Sequence, residues 1–131
     1  MNNFSLNKKQ IEEYQKNRDP YLFIDFVDNV VPGESIEGYK DLRVKEWFFD
    51  VHWPGDPNMP GMLQIEALTQ MSALSILTLP GNKGKIMYLI SAEKLVFKRA
   101  SVPMNNSSPM LVPSSCCPDS IPFAISSKPS M

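Results

Sequence analysis

Residues 60–79 read PGMLQIEALTQMSALSILTL. Pro60 suits the first turn of a helix, where its missing N–H costs nothing. Pro80-Gly81 closes the run. Between them, Met62, Leu63, Ile65, Leu68, Met71, Leu74, Ile76, Leu77 and Leu79 fall on nearly every side of the predicted helix. A helix that is apolar all round is a buried helix. This is the longest helical candidate in the chain, so the remaining elements are expected to wrap it.

The flanking sequence supplies those elements. Leu6 to Asn17 sets Leu6, Ile11 and Tyr14 among Lys, Gln and Glu and suits a short surface helix ended by Pro20. LFIDFVDNVV, residues 22–31, is rich in Phe, Ile and Val and reads as a strand. Pro32-Gly33 makes the turn, and SIEGYKDLRV, residues 35–44, reads as a second strand antiparallel to the first. EWFFDVH, residues 46–52, is a short aromatic segment. Residues 52–61 then hold three prolines and two glycines in ten positions, which leaves only a rigid, shaped loop. IMYLISAEKLVF, residues 86–97, reads as a further strand. Two strands, a buried helix and another strand describe an α+β domain with a sheet around a central helix.

The chain has 131 residues, which fits one domain. Its net charge of −1 argues against a protein built mainly to bind nucleic acid. No run of about 18 apolar residues exists to cross a membrane, and Met1 to Gln10 lacks an apolar signal core, so no export is expected. The adjacent Cys116 and Cys117 are poorly placed for an ordinary disulfide. They read as reduced, which fits a cytoplasmic protein; no CxxC spacing supports the sharper reading of a redox or metal pair. His52 is the only histidine, which excludes sites needing two in one chain.

The averages conceal a division. Residues 1–100 hold all six glycines, 12 of the 13 basic residues and 13 of the 14 acidic ones. Residues 101–131 hold six of the 12 prolines and nine serines, with only Asp119 and Lys128 charged. That spacing of prolines leaves no room for a helix or a central strand. The expected organisation is a domain over 1–103 and a Ser/Pro-rich tail, disordered or extended, over 104–131.

Two residues stand out chemically. A carboxylate at a core position of the helix, Glu66, costs several kcal/mol unless it is paired or neutral. Thr69 and Gln70 share its face and are positioned to hydrogen-bond it. The helix alone leaves two readings open. One is a partly exposed polar face of Gln64, Glu66, Thr69 and Gln70; the other is a general acid held in an apolar pocket. His52 likewise reads either as a structural residue of the aromatic segment or as a functional one. It stands at the entry to the stiff loop that leads into the Glu66 helix, and rigid loops at helix N-termini are where sites are built. The first free N–H groups, from Gly61 onward, lie at the positive end of the helix dipole, where a carbonyl oxygen would be polarised. An imidazole, a carboxyl and a helix N-terminus suffice to abstract a proton beside a carbonyl and expel a hydroxyl group.

FFDVHWPGDPNMPGMLQIEALTQ, residues 48–70, closely resembles the signature of the β-hydroxyacyl-acyl carrier protein dehydratases of fatty acid synthesis, which have the hot-dog fold. That family shows His-Phe-Pro-Gly-x-Pro-x-Met-Pro-Gly-Val-Leu followed by Glu-Ala-Met-Ala-Gln. Here Trp53 stands for Phe, Met62 for Val, and Leu68-Thr69 for Met-Ala, while His52 and Glu66 match in identity and spacing. The likeness extends over roughly residues 8 to 103.

The resemblance implies that His52 takes the α-proton of a 3-hydroxyacyl thioester and that Glu66 protonates or orients the leaving hydroxyl, the two facing each other across a dimer interface. It implies that the Gly61 N–H polarises the thioester carbonyl. Met62, Ile65 and the 86–97 segment would line an acyl tunnel, with Gln70 beside Glu66. It implies an acyl carrier protein partner met by Lys98, Arg99, Lys83 and Lys85, a homo-oligomer of dimers or trimers of dimers, and no cofactor or metal. Glu66, where a related dehydratase/isomerase branch has Asp, favours plain dehydration; Gly-Asp-Pro at 55–57 is also seen in that branch. Other hot-dog proteins are thioesterases or non-catalytic, so those alternatives stay open. After Val102-Pro103 the family continues into Gly-Asp and long strands. Residues from Met104 onward do not resemble that continuation and look like a reading-frame change followed by an early stop. The expected consequence is a hot-dog fold incomplete at its C-terminal end, with Met71, Leu74 and Leu77 left exposed.

Overall fold

The protein was analysed as a computed structural model. The structure describes residues 3–92, 95–97 and 100–103, and the backbone of 110–115 and 123–126. The expectations for Lys98, Arg99, Cys116 and Cys117 lie outside the described residues.

The chain opens with a short strand, β1 (Phe4–Leu6), and then a helix, α1 (Lys8–Tyr14). Asn7 starts α1 with a capping box: its side chain accepts from the Gln10 N–H at 3.0 Å, and the Gln10 side chain accepts from the Asn7 N–H at 2.9 Å. Ile11, fully buried, pins the helix to the core. The predicted surface helix is thus shorter than 6–17, because Leu6 is already committed to β1.

β2 (Phe26–Val31) and β3 (Ser35–Lys40) form the expected antiparallel hairpin. Pro32 and Gly33 occupy the two central turn positions, Gly33 with φ of +76°, and the Glu34 N–H reaches the Val31 carbonyl at 2.9 Å. The Gly33 N–H also bonds the Ser75 carbonyl at 2.8 Å, tying the turn to the central helix. Register slips between Val27 and Asn29, a bulge at Asp28. The extra residue explains the loose alternation of the sequence: Val27 and Val30, three apart, both face the core.

The aromatic segment forms a one-and-a-half-turn helix, α2 (Trp47–Val51). Phe48 and Phe49 are buried against Phe23 and Met59. The central helix, α3 (Gly61–Leu77), starts after Pro60 as expected. Its Met71 and Leu74 join Val27, Val30 and Ile36 in the main core. At Gly38 a side chain would run into the Phe26 carbonyl and sit 2.7 Å from Met71 Cε, so this glycine sets how closely helix and sheet approach.

Two expectations for the C-terminal part require correction. The predicted 86–97 strand forms only over β4 (Ile86–Leu89). Among the described residues its partner β6 (Phe123–Ser126) pairs Ile86 through Leu89, and a strand lasts as long as its ladder. Within the Ser/Pro-rich segment, β5 (Met110–Ser115) pairs antiparallel along all of β3. The main sheet runs β1-β2-β3-β5, so β5 is its edge, where Pro113 is tolerated. Finally, Met71, Leu74 and Leu77 are buried, not exposed. The result is an α+β fold of antiparallel sheet around a central helix.

Candidate active site

α2 delivers His52. With Phe48 and Phe49 locked in the core, the helix ends at His52, whose N–H bonds the Phe48 carbonyl at 2.9 Å. The loop that follows is held at several points. The Asp56 N–H bonds the Trp53 carbonyl at 2.9 Å, the Asn58 side chain donates to the Asp56 carbonyl at 3.1 Å, and Met59 is buried. The Met59 N–H bonds the Ser101 carbonyl at 2.7 Å, which clamps the loop to the chain after β4. Within this frame the half-buried His52 places Nδ1 3.0 Å from the Asn58 carbonyl oxygen. A carbonyl only accepts, so Nδ1 carries the proton and Nε2 presents its lone pair. The ring also stacks on Trp53, with centroids 4.7 Å apart and planes 19° apart.

α3 delivers Glu66. One turn on, the Gln70 side chain is buried and fully used. Its Oε1 accepts from the Phe23 N–H at 2.8 Å, and its Nε2 donates to the Tyr21 carbonyl and to Glu66 Oε1, both at 2.9 Å. The first of these bonds fixes the amide orientation, so the Glu66 carboxyl meets an N–H. Thr69, expected as a second partner, donates instead to the Ile65 carbonyl at 2.8 Å. Burial, and then the nearby Glu66 carboxylate, push the Tyr21 phenol above its ordinary value.

Glu66 lines a cleft of about 220 Å³ together with Gln70, Ala73, Leu77 and the Ile86–Leu89 strand. Gln15, Lys16 and Asn17 form its other wall. Sequence reasoning missed those three, since polar residues after a surface helix carry no signal of their own. Lys85 lines the cleft and donates to Asn82 Oδ1 at 2.9 Å, while Lys83 lies over the Tyr14 ring and pairs with Glu13. His52 is not among the residues that line this cleft. Ile65 is buried, Met62 is 72% exposed, and neither lines the cleft. Gly61 opens α3 beneath the Phe97 ring, 2.9 Å from where a Cβ would stand. Among the described residues, no three His, Cys, Asp or Glu side chains gather as a metal ion would require.

Comparison with known proteins identifies clear relatives of the chain. The family model described as a FabA-like domain matches residues 16–112. The chain is 42% identical over 99 residues to the 3-hydroxyacyl-acyl-carrier-protein dehydratase FabZ of Clostridium novyi, covering 76% of this chain and 70% of that protein. It is 40% identical over 103 residues to the enzyme of the same name from Syntrophomonas wolfei, covering 79% and 72%. The FabZ of Enterococcus faecalis is 38% identical over 94 residues, covering 72% and 67%.

Proposed function

The chain belongs to the FabA-like family, and on that premise we propose that it is a 3-hydroxyacyl-acyl-carrier-protein dehydratase of fatty acid biosynthesis, with His52 as base and Glu66 as acid. The observation that carries the assignment of roles is the state of the two groups. His52 has Nδ1 occupied by a backbone carbonyl and Nε2 free, and Glu66 is oriented by Gln70 on the wall of a cleft.

Nε2 of His52 takes the proton from the α-carbon of the thioester. The electrons left behind form the Cα–Cβ double bond as the C–O bond at the β-carbon breaks. The hydroxyl departs with a proton from Glu66, giving water and a trans-2-enoyl thioester. Proton exchange between the two groups then restores both. The Gly61 N–H at the positive end of α3 supports the charge that grows on the thioester oxygen. All steps are acid–base chemistry and call for no cofactor or metal.

In the proposed site, as the family resemblance implies, the imidazole comes from one subunit and the carboxyl from another. The working unit is therefore a homo-oligomer built on a dimer. The substrate arrives on acyl carrier protein, an acidic partner for which Lys98 and Arg99 are the proposed contacts. No helix among the described residues is long and apolar enough to cross a membrane, and the proposed location is the cytoplasm.

Hydration of a crotonyl thioester, the reverse reaction, tests the assignment. His52→Gln and Glu66→Gln are each expected to lose about 10²–10⁴-fold in kcat, the range for removing a general acid or base. Full activity in either variant would remove that residue from the mechanism. Release of free thiol would instead mark a thioesterase.

A further inference from the structure

Trp53 is the one non-glycine residue with a left-handed backbone among those described, with φ of +64°. For a bulky side chain this is a true outlier and a strained conformation. The proline that follows, Pro54, narrows its choices further. Such strain persists only where the surroundings enforce it. Here the Phe48-anchored end of α2 lies on one side, and the Asp56 N–H holds the Trp53 carbonyl on the other. Core burial does not explain the conformation, because the residue is 62% exposed. Its visible consequence is the stack on His52, at 4.7 Å and 19°.

We propose that Trp53 is a positioning residue for His52: its left-handed backbone holds the indole flat against the imidazole, fixing the ring for proton transfer and offering a π face to the imidazolium that forms. The inference rests on the reading of His52 as the base. Two contacts then determine the ring. The Asn58 carbonyl fixes its rotation from the Nδ1 edge, and the indole fixes its plane. Turning the imidazole would break both at once. When Nε2 accepts a proton, the new cation lies within the roughly 6 Å over which an indole face attracts charge.

The stack can be read directly in solution. The chain has two tryptophans, so Trp47→Phe leaves Trp53 as the sole indole. Contact with an imidazolium quenches indole emission more than contact with a neutral imidazole. Emission is therefore expected to rise in one step as His52 deprotonates. His52→Gln in the same background should remove the step, which assigns it to the imidazole and not to the nearby Asp50 or Asp56. A flat titration in the folded protein would overturn the proposal, and this readout does not require a Trp53 variant to fold.

Kinetics supply the second arm. Trp53→Leu is expected to lower kcat for crotonyl-thioester hydration about 10–100-fold, as for a misplaced reacting group, with KM changed less than about threefold. Trp53→Phe should restore most of that loss. A raised KM with unchanged kcat would make Trp53 a substrate contact and overturn the proposal. Full activity in His52→Gln would sink the base assignment itself. An inactive His52→Gln beside a fully active Trp53→Leu would sink only the role of Trp53.

Discussion

One amide, that of Gln70, serves three groups: the Phe23 N–H, the Tyr21 carbonyl and the Glu66 carboxyl. Replacing it with Leu keeps the approximate shape and leaves the buried Phe23 N–H without its partner. Gln70→Leu is expected to lose about 1–3 kcal/mol of stability in denaturant unfolding, together with kcat, because Glu66 is no longer oriented. A drop in stability with kcat unchanged would separate the structural part of this residue from any part in the reaction. The helical period makes the Glu66–Gln70 pair legible from sequence, since the two are four residues apart. The bond to Phe23 spans 47 positions and is not legible. The same holds for His52. Its position before a stiff loop marks it, yet the group that sets its tautomer is the Asn58 backbone carbonyl, which any residue would supply.

At the scale of elements, β2, β3 and the start of α2 are joined by buried charge. Asp25, with its side chain 7% exposed, faces Lys40 at 3.3 Å and Lys8 at 3.5 Å, and accepts from the Asp41 N–H at 2.8 Å. Lys40 also pairs with Glu46 at 2.7 Å, which anchors the segment leading into α2 and so into His52. Burial pushes the Asp25 carboxyl up, but Lys40, the Asp41 N–H, Arg43 and Lys8 outweigh it and hold it below the ordinary carboxylate value. A carboxyl lowered on folding stabilises the protein above its unfolded pKa, and that contribution is lost as pH falls through the lower folded value. Asp25→Asn is therefore expected to be less stable near neutrality, by about 1–3 kcal/mol, because Lys40 keeps its partner Glu46. It should also show a shallower loss of stability on acidification than the parent, measured by thermal unfolding across the acid range. An unchanged acid limb would show that other carboxyls dominate it. Gly38 gives a second test at this scale. Gly38→Ala drives a methyl into Phe26 and Met71 and should cost about 1–3 kcal/mol, the range for overpacking. The hairpin around Pro32-Gly33 and the helix after Pro60 were legible because proline and glycine announce them. The bulge at Asp28 and the edge strand containing Pro113 were not, because each depends on what the neighbouring strand does.

For the whole molecule, the question is what the single chain leaves uncovered. Val51, Trp53, Met62, Val96 and Phe97, from the end of α2, the loop, the start of α3 and the chain after β4, are each more than half exposed. The Met59–Ser101 bond joins two of these segments, and the Phe97 ring lies over Gly61, linking a third. Apolar surface of this kind around a site marks an interaction face. The sequence carried no sign of that face beyond the family resemblance, because in a lone sequence a residue buried by a second copy looks like one buried by its own chain. If the covering element is a second copy, a two-fold interface places each residue against the partner's surface symmetrically. His52 of one subunit can then serve the cleft of the other. Mixing provides the test. His52→Gln and Glu66→Gln are each expected to lose activity, but when the two variants are unfolded together and refolded as dimers, half the dimers are expected to be mixed. Each mixed dimer pairs an intact His52 with an intact Glu66 at one of its two sites. About a quarter of the parental hydration activity is expected to return. Recovery requires the site to span two chains; if both groups act within one chain, every site retains one defect and mixing restores nothing.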